Sequence, residues 1–174
     1  MWKLQSLRSL IESAVPELKR DPERLIVMAT DGAAVSTLAG GLSFEYRYTA
    51  AITVLDYTGH TDALFVPILA WVRVNQSDVL DNPKSQSRGV EFSVEHLNTS
   101  AVDIGIRVPL TERAIVKPDP QHATRFNVTH PKEPCQPGAQ CLAEHWELWL
   151  QDKKLAEWDI PAPQEKSRFP LSPM

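Results

Sequence analysis

Apolar positions repeat with two periods along this chain, and each period predicts one type of element. Near the N-terminus, a spacing of three and four residues predicts a helix over roughly residues 3–15. The apolar positions of this stretch are Leu4, Leu7, Leu10, Ile11, Ala14 and Leu18. Over residues 41–57 the period is two, which predicts a strand much longer than usual. A strand of that length can extend beyond its own domain and reach a neighbouring molecule.

The two faces of this long strand differ in character. The apolar face carries Leu42, Phe44, Tyr46, Tyr48, Ala50, Ile52 and Val54. The opposite face carries Ser43, Glu45, Arg47, Thr49, Ala51, Thr53, Leu55 and Tyr57. We therefore expect the first face to join the core. The second face is expected to be solvated at its N-terminal end and covered at its C-terminal end.

Two hairpins are predicted on either side of the long strand. The first would turn at Asp31-Gly32, a pair that favours the positive φ angles of a tight turn. The second follows from alternating apolar positions on both sides of Asn98-Thr99-Ser100. The paired runs are 25–29 with 35–38, and 90–94 with 102–108.

A second helix is predicted to begin at Thr61 or Asp62 and to continue to about Val79. Pro67 lacks the N–H of an interior helical bond, so it either kinks this helix or falls close to its start. Residues 63–74 are apolar on nearly all sides. Such a helix is typical of a buried position, with the sheet on one side and room for another subunit on the other.

The chain changes character past Lys117. Prolines 118, 120, 131, 134 and 137 interrupt a polar stretch in which no long regular element is expected. Residues 145–158 then predict a further hairpin with its turn at Gln151–Lys154. The predicted fold is a single α+β domain over residues 1–117, a mainly antiparallel sheet flanked by helices. A Pro-rich C-terminal arm over residues 118–174 carries the last hairpin.

Length and charge narrow the function classes. The 174 residues fit one domain, and 18 basic against 22 acidic residues give a net charge of -4. Tight nonspecific binding to nucleic acid is therefore not expected. The N-terminus is charged and contains no long apolar run, so we expect a cytoplasmic protein without a membrane segment. The Asn-x-Ser/Thr triplets at Asn75, Asn98 and Asn127 are then chance matches.

Candidate chemistry is sparse. His130, Cys135, Cys141 and His145 offer zinc-type ligands, but their spacing is looser than that of familiar zinc sites. Two reduced thiols are the favoured interpretation, and a Cys135–Cys141 disulfide is disfavoured in the cytoplasm. The acidic residues that could form a catalytic pair are Glu45, Asp56, Asp62, Glu91, Glu95 and Asp103. Each also fits a plain role on a strand, in a turn or at a helix end, so neither catalysis nor a cofactor is expected.

Interface anchors are the other candidates. Glu45 and Arg47 share the exposed face of the long strand and are expected to pair with a neighbouring strand or subunit. Trp146 and Trp149 fall on opposite faces of the last hairpin. One of them therefore either packs on the domain's helices or anchors a protein contact, since Trp is enriched at the centres of interfaces.

Four long strings carry a family resemblance: ELKRDPERLIV (17–27), GLSFEYRYTAAITVLDYTG (41–59), ALFVPILAWVRVNQ (63–76) and VPLTERAIV (108–116). In these strings the chain strongly resembles the tail completion protein R family of peduovirus-type contractile phages. The resemblance covers roughly residues 1–117, and the chain departs from the familiar pattern after Lys117.

The resemblance implies a noncatalytic protein that caps the head-proximal end of a contractile tail tube. It implies a tail-terminator fold and a homo-oligomeric, hexameric ring that contacts the tail tube protein and possible sheath and neck proteins. The location would be the neck end of the virion tail, after assembly in the host cytoplasm, with DNA passing through without tight binding. The expected oligomer and tail interface residues are Glu45, Arg47, Arg73, Arg107, Arg113, Trp146 and Trp149.

Three alternatives stay open at this point. The same protein could close the tube of a headless bacteriocin particle. It could be a small α+β enzyme, which would need histidines or carboxylates clustered in a deep pocket. It could also be a neck protein that contacts DNA through arginines gathered in a ring lumen, and the candidates are Arg47, Arg73, Arg88, Arg107 and Arg113.

Overall fold

The structure is a computed structural model that describes residues 1–36, 41–81, 89–96, 100–133 and 142–162. Its helices are α1 (Trp2–Ala14), α2 (Pro16–Arg20), α3 (Asp62–Asn75) and α4 (Asp78–Asp81), with a 3₁₀ turn at Pro22–Arg24. Its strands are β1 (Leu25–Ser36), β2 (Phe44–Tyr57), β3 (Glu91–His96), β4 (Val102–Asp119), β5 (His122–Thr129), β6 (Glu144–Leu150) and β7 (Lys153–Ile160). The predicted α+β class is confirmed.

One antiparallel sheet forms the centre of the molecule. Its strand order is β1-β2-β4-β3, and β5 pairs with the C-terminal part of β4. Helices α1 and α3 pack together on one face of this sheet and share a single core with it. The hairpin β6–β7 forms a separate two-stranded sheet that contacts α1 and α3 through β7.

The long strand was correctly predicted, and its apolar face joins the core over most of its length. Tyr48, Ala50, Ile52 and Val54 are buried against the helices. Leu42 is exposed and lies before the first residue of β2, so the expected core face begins later than the alternation indicated. A bulge after Val54, with a positive φ at Asp56, turns Tyr57 onto the core face. The prediction for Tyr57 was therefore wrong by one face.

The first predicted hairpin is absent, because Asp31-Gly32 lies inside a continuous strand. β1 pairs with β2 on both sides of this dipeptide, and the register shifts between Thr30 and Ala33. Asp31 has φ 54°, so the dipeptide supplies the positive φ of a β-bulge rather than of a turn. The same backbone preference serves both structures, which is why the local pattern did not distinguish them.

The second predicted helix is shorter than expected. α3 ends at Asn75, and the separate turn α4 follows. Pro67 lies within α3 and is buried. Thr61 precedes the helix, but its hydroxyl makes no capping bond among the described residues. No helix in the described ranges has the length and apolar character that a membrane crossing requires.

The stretch after Lys117 is more regular than predicted. β4 continues to Asp119, turns at Pro120-Gln121 and pairs with β5. Pro118 is tolerated because a two-stranded hairpin leaves its outer edges without ladder partners. The final hairpin is confirmed, with a tighter turn at Gln151-Asp152.

Candidate interface surfaces

A buried carboxylate holds the first turn of α1 against the sheet. Glu112 of β4 is almost fully buried, and its two oxygens accept hydrogen bonds from Trp2 N (3.0 Å) and Lys3 N (3.1 Å). The Tyr48 hydroxyl donates to the same carboxylate. The first N–H groups of a helix have no acceptor within the helix, and the N-terminal end of a helix favours a negative charge. The Glu112 carboxylate supplies both the acceptor and the negative charge.

A second buried side chain, Gln76, joins the end of α3 to β4. Its Oε1 accepts from Thr111 N (2.9 Å) and from Lys3 Nζ (2.8 Å), and its Nε2 donates to Thr111 Oγ1 (3.0 Å). Lys3 Nζ also pairs with Glu133 at 2.9 Å. Burial lowers the pKa of Lys3 although the carboxylates around it act in the opposite direction. Burial and the Glu112 hydrogen bond raise the pKa of Tyr48.

This polar network contains residues from three of the four sequence strings that carry the family resemblance. Tyr48, Gln76, Thr111 and Glu112 come from three separate strings, and the fold brings them under α1. None of them was predicted as a functional residue. The signal was present for Glu112, because its alternation with Leu110 and Ala114 places a carboxylate on a core-facing row. The network fixes α1 and α3 to the sheet.

Four of the predicted interface residues share the face of the sheet that points away from α1 and α3. Arg47 Nε donates to Glu45 at 2.7 Å, and Arg113 approaches the same carboxylate at 3.9 Å across the strand pair. Arg107 pairs with Asp31 of β1 at 2.7 Å. All three guanidinium groups are half exposed or more. This row of ion pairs is the charged part of the outer face.

The remaining predicted interface residues lie elsewhere. Arg73 is exposed on α3, on the other side of the sheet. Trp146 and Trp149 are 45% and 51% exposed on β6, and each indole N–H donates to a neighbouring glutamate, Glu144 or Glu147. Neither Trp is buried against the helices. Trp158 of β7 takes that place instead and is 5% exposed.

The zinc hypothesis gains no support from the described ligands. Cys135 and Cys141 lie outside the described residues. His130 Nδ1 lies 3.2 Å from the Arg113 carbonyl, and His145 Nδ1 lies 2.7 Å from Asp159 Oδ1. The hydrogen bond that His145 makes to the Asp159 carboxylate raises the pKa of His145.

A second group of possible ligands lies on the final hairpin. His145, Glu147 and Glu157 place ligand atoms within 4.8 Å of one another. Lys154 Nζ, however, contacts Glu147 at 3.0 Å and Glu157 at 2.7 Å. A single ammonium group therefore already bridges the two carboxylates.

A cavity of about 360 Å³ lies between α1, α3 and the end of β7. Its wall includes Ser6, Trp71, Glu133 and Asp159. Glu133 pairs with Lys3 and Asp159 pairs with His145, while Ser6 Oγ accepts the indole N–H of Trp71 at 3.1 Å. Each of these polar groups already has a partner, so the described wall offers no pair of free carboxylates for acid–base chemistry.

An apolar surface, the α3–β3 patch, consists of Phe65, Leu69, Phe92 and Val94. Phe92 and Val94 lie on the core-facing side of the edge strand β3, opposite Ile106 and Ile104. Phe92 is 64% exposed, and its ring meets that of Phe65 edge to face with centroids 5.0 Å apart. α3 therefore covers this edge only in part, and large apolar side chains remain in contact with solvent.

A second uncovered surface is the arm, which we define as the hairpin formed by residues 115–119 of β4 and by β5. The last residue of β4 paired with β2 is Ala114, so the arm extends beyond the main sheet. Ser43 holds its base, because the Ser43 hydroxyl lies 3.0 Å from Val116 N and 3.4 Å from Val116 O. Phe126 and Val128 are each 54% exposed.

Together these features define a class: a small α+β protein with a fixed core and large uncovered apolar surfaces, which is typical of proteins that bind other proteins. The P2 phage tail completion protein R (GpR) family matches residues 1–134. The chain is also 36% identical over 159 residues to "Tail completion protein R" of Escherichia phage P2, which covers 91% of this chain and 99% of that protein. The chain therefore belongs to the P2 phage tail completion protein R family.

The family match confirms the resemblance and extends it past Lys117. Residues 118–134, which include β5, lie within the matched range. The departure from the family pattern expected after Lys117 was therefore placed too early. A search of solved structures gives no significant match.

Proposed function

We propose that this chain is a structural protein of phage tail assembly that completes and caps the head-proximal end of a contractile tail tube. Family membership carries this proposal, since the relative in phage P2 is named for tail completion and aligns over nearly its whole length. The capped end would also present the surface to which a head joins.

The proposed working form is a closed ring of identical copies. A heterologous ring needs two different contact surfaces on each copy. The strand order β1-β2-β4-β3 supports this arrangement, because its two end strands both carry exposed apolar side chains. Met28 is exposed on β1, and Phe92 is exposed on β3. Residues on opposite edges of one sheet cannot contact each other within one copy, but they can meet between neighbours.

The test is the native mass of the purified chain at several concentrations, with and without its cognate tail tube protein. The expected result is a closed oligomer, alone or only in the presence of the tube, and electron microscopy should show it at one end of the tube. Addition of heads to capped tubes then separates a phage tail from a headless bacteriocin particle. A persistent monomer that ignores the tube would contradict the proposal.

A further inference from the structure

A short segment, which we call the strap and define as residues 130–133, runs from the arm to α1. It begins directly after Thr129, the last residue of β5, and it contains no helix or strand. Both of its ends are nevertheless attached. His130 Nδ1 at one end lies 3.2 Å from the Arg113 carbonyl oxygen of β4. Glu133 at the other end pairs with an ammonium group of α1. The strap therefore links the arm to the first helix.

The strap meets β4 where no strand covers its edge. β2 pairs with one edge of β4 over most of its length, and β3 covers the other edge only as far as Arg107. Beyond that point, side chains bind the backbone of the second edge. Gln76 accepts the Thr111 N–H at 2.9 Å, and His130 lies against the Arg113 carbonyl. Both side chains satisfy backbone groups that a further strand would otherwise bind.

The ammonium group that holds Glu133 belongs to Lys3 and is almost fully buried. Lys3 is 1% exposed, and its Nζ donates to Glu133 at 2.9 Å and to Gln76 Oε1 at 2.8 Å. Gln76 is neutral, so among the described residues Glu133 supplies the one carboxylate in direct contact with this cation. A buried charge that loses its counterion is strongly destabilising, whereas an apolar residue in its place is tolerated. Loss of Glu133 therefore affects α1 as well as the strap.

Apart from the strap, the arm is weakly attached in the described part of the chain. Ser43 bonds to Val116 at its base, and the described side chains of β5 are exposed. A two-stranded hairpin of this kind is at best marginally stable in water. Its pairing therefore depends on how its two ends are held. β4 holds one end by continuing into the main sheet, and the strap holds the other.

We propose that the strap is a latch, closed by the Lys3–Glu133 pair, that couples the arm to the first turn of α1. With the latch closed, β5 stays paired with β4 and the start of α1 stays on the sheet. When Glu133 is drawn away from Lys3, β5 loses the support of its C-terminal end, and the unpaired ammonium destabilises the first turn of α1. Displacement of the arm is thereby transmitted to the helices. This inference goes beyond the proposed function and does not depend on it.

Hydrogen–deuterium exchange of the purified full-length chain, measured by mass spectrometry, tests the latch through two peptides. One peptide covers the first turn of α1, and the other covers β5. Glu133→Gln should speed exchange in both by about tenfold or more, because the buried ammonium loses its counterion. Lys3→Met should speed exchange in β5 alone, since it opens the latch but leaves no unpaired charge under α1. Lys132→Ala, an exposed position of the same strap, is the matched control and should change exchange by no more than about twofold.

The double variant, Lys3→Met with Glu133→Gln, shows whether the two side chains act as one pair. It should exchange like Lys3→Met alone, because the carboxylate then has no cation to lose. Unchanged exchange of β5 in the Glu133→Gln chain would overturn the proposal. Equal acceleration of both peptides by Lys3→Met, or by the Lys132→Ala control, would also overturn it, since general loosening gives that result. The chain is tested alone, so none of these outcomes depends on whether it caps a tail tube.

Discussion

At the scale of single residues, Glu112 joins the first turn of α1 to the sheet. It accepts two backbone N–H groups of α1 and the Tyr48 hydroxyl while almost fully buried. Removal of a buried acceptor leaves its donors without partners, which costs more than the bonds themselves contribute. Glu112 therefore couples the start of the chain to the middle of β4.

We predict that Glu112→Ala lowers the free energy of unfolding by about 3 kcal/mol, because three donors lose a charged acceptor. Glu112→Gln should cost less, since one amide oxygen still accepts. Urea unfolding followed by tryptophan fluorescence measures both. Gln5→Ala, at an exposed position of α1, is the control and should stay within about 0.5 kcal/mol of the unmodified chain. A Glu112→Ala chain as stable as this control would show that Glu112 does not stabilise the contact between α1 and the sheet.

At the scale of elements, local patterns predicted the strands and helices better than their connections. Alternation located β2 and β4 because each has one buried face. It also located β3, although all of the residues of that strand are exposed. The predicted turn at Asp31-Gly32 was wrong, since a bulge and a turn need the same positive φ. The choice between a bulge and a turn depends on whether the residues after Gly32 pair again with β2. That pairing joins residues far apart in sequence, so the local pattern does not determine it.

The arm was missed for a related reason. Proline content predicted an irregular stretch, but Pro118 lies in a narrow hairpin where few ladder bonds are required. The side chains of β5 are exposed in the described chain, so its sequence lacks the strong one-sided burial that identifies a core strand. A strand whose described side chains are exposed on both faces gives no burial pattern by which to recognise it.

The final hairpin is attached through β7, not through the tryptophans singled out in the sequence. Trp158, Ala156 and Ile160 lie in the same core cluster as the buried residues of α1 and α3. Trp158 pairs with Trp146, but only Trp158 is buried. Alternation predicted that Trp146 and Trp149 lie on opposite faces of β6, as they do. Which strand of the hairpin is buried depends on how the hairpin packs against α1 and α3.

We predict that Trp158→Ala lowers the free energy of unfolding by about 3–5 kcal/mol, as expected for a large buried side chain. Trp158→Phe should cost clearly less, because the buried indole N–H has no hydrogen-bond acceptor among the described residues and Phe removes it. The matched control is Trp149→Ala at a half-exposed position, with an effect within about 0.5 kcal/mol. Thermal and urea unfolding give these values. Equal losses at Trp158 and Trp149 would show that β7 is not part of the core.

At the scale of the whole molecule, the charges bear on the alternative of a DNA-contacting neck protein. The net charge is -4. Arg47 and Arg113 share the carboxylate of Glu45, and Arg107 pairs with Asp31. Arg73 lies on the other side of the sheet, and Arg88 lies outside the described residues. The outer face therefore presents paired rather than free cations.

We predict that the unmodified chain binds a short DNA duplex more weakly than about 100 µM at physiological salt, because few cations are available to displace counterions. Glu45→Gln combined with Asp31→Asn should strengthen binding at low salt, since it leaves Arg47, Arg107 and Arg113 without their carboxylates. Fluorescence anisotropy over a salt series measures both the affinity and its slope. Asp152→Asn, in the β6–β7 turn, changes the charge away from these arginines and should leave binding unchanged. Tight, steeply salt-dependent binding by the unmodified chain would instead favour direct contact with the genome.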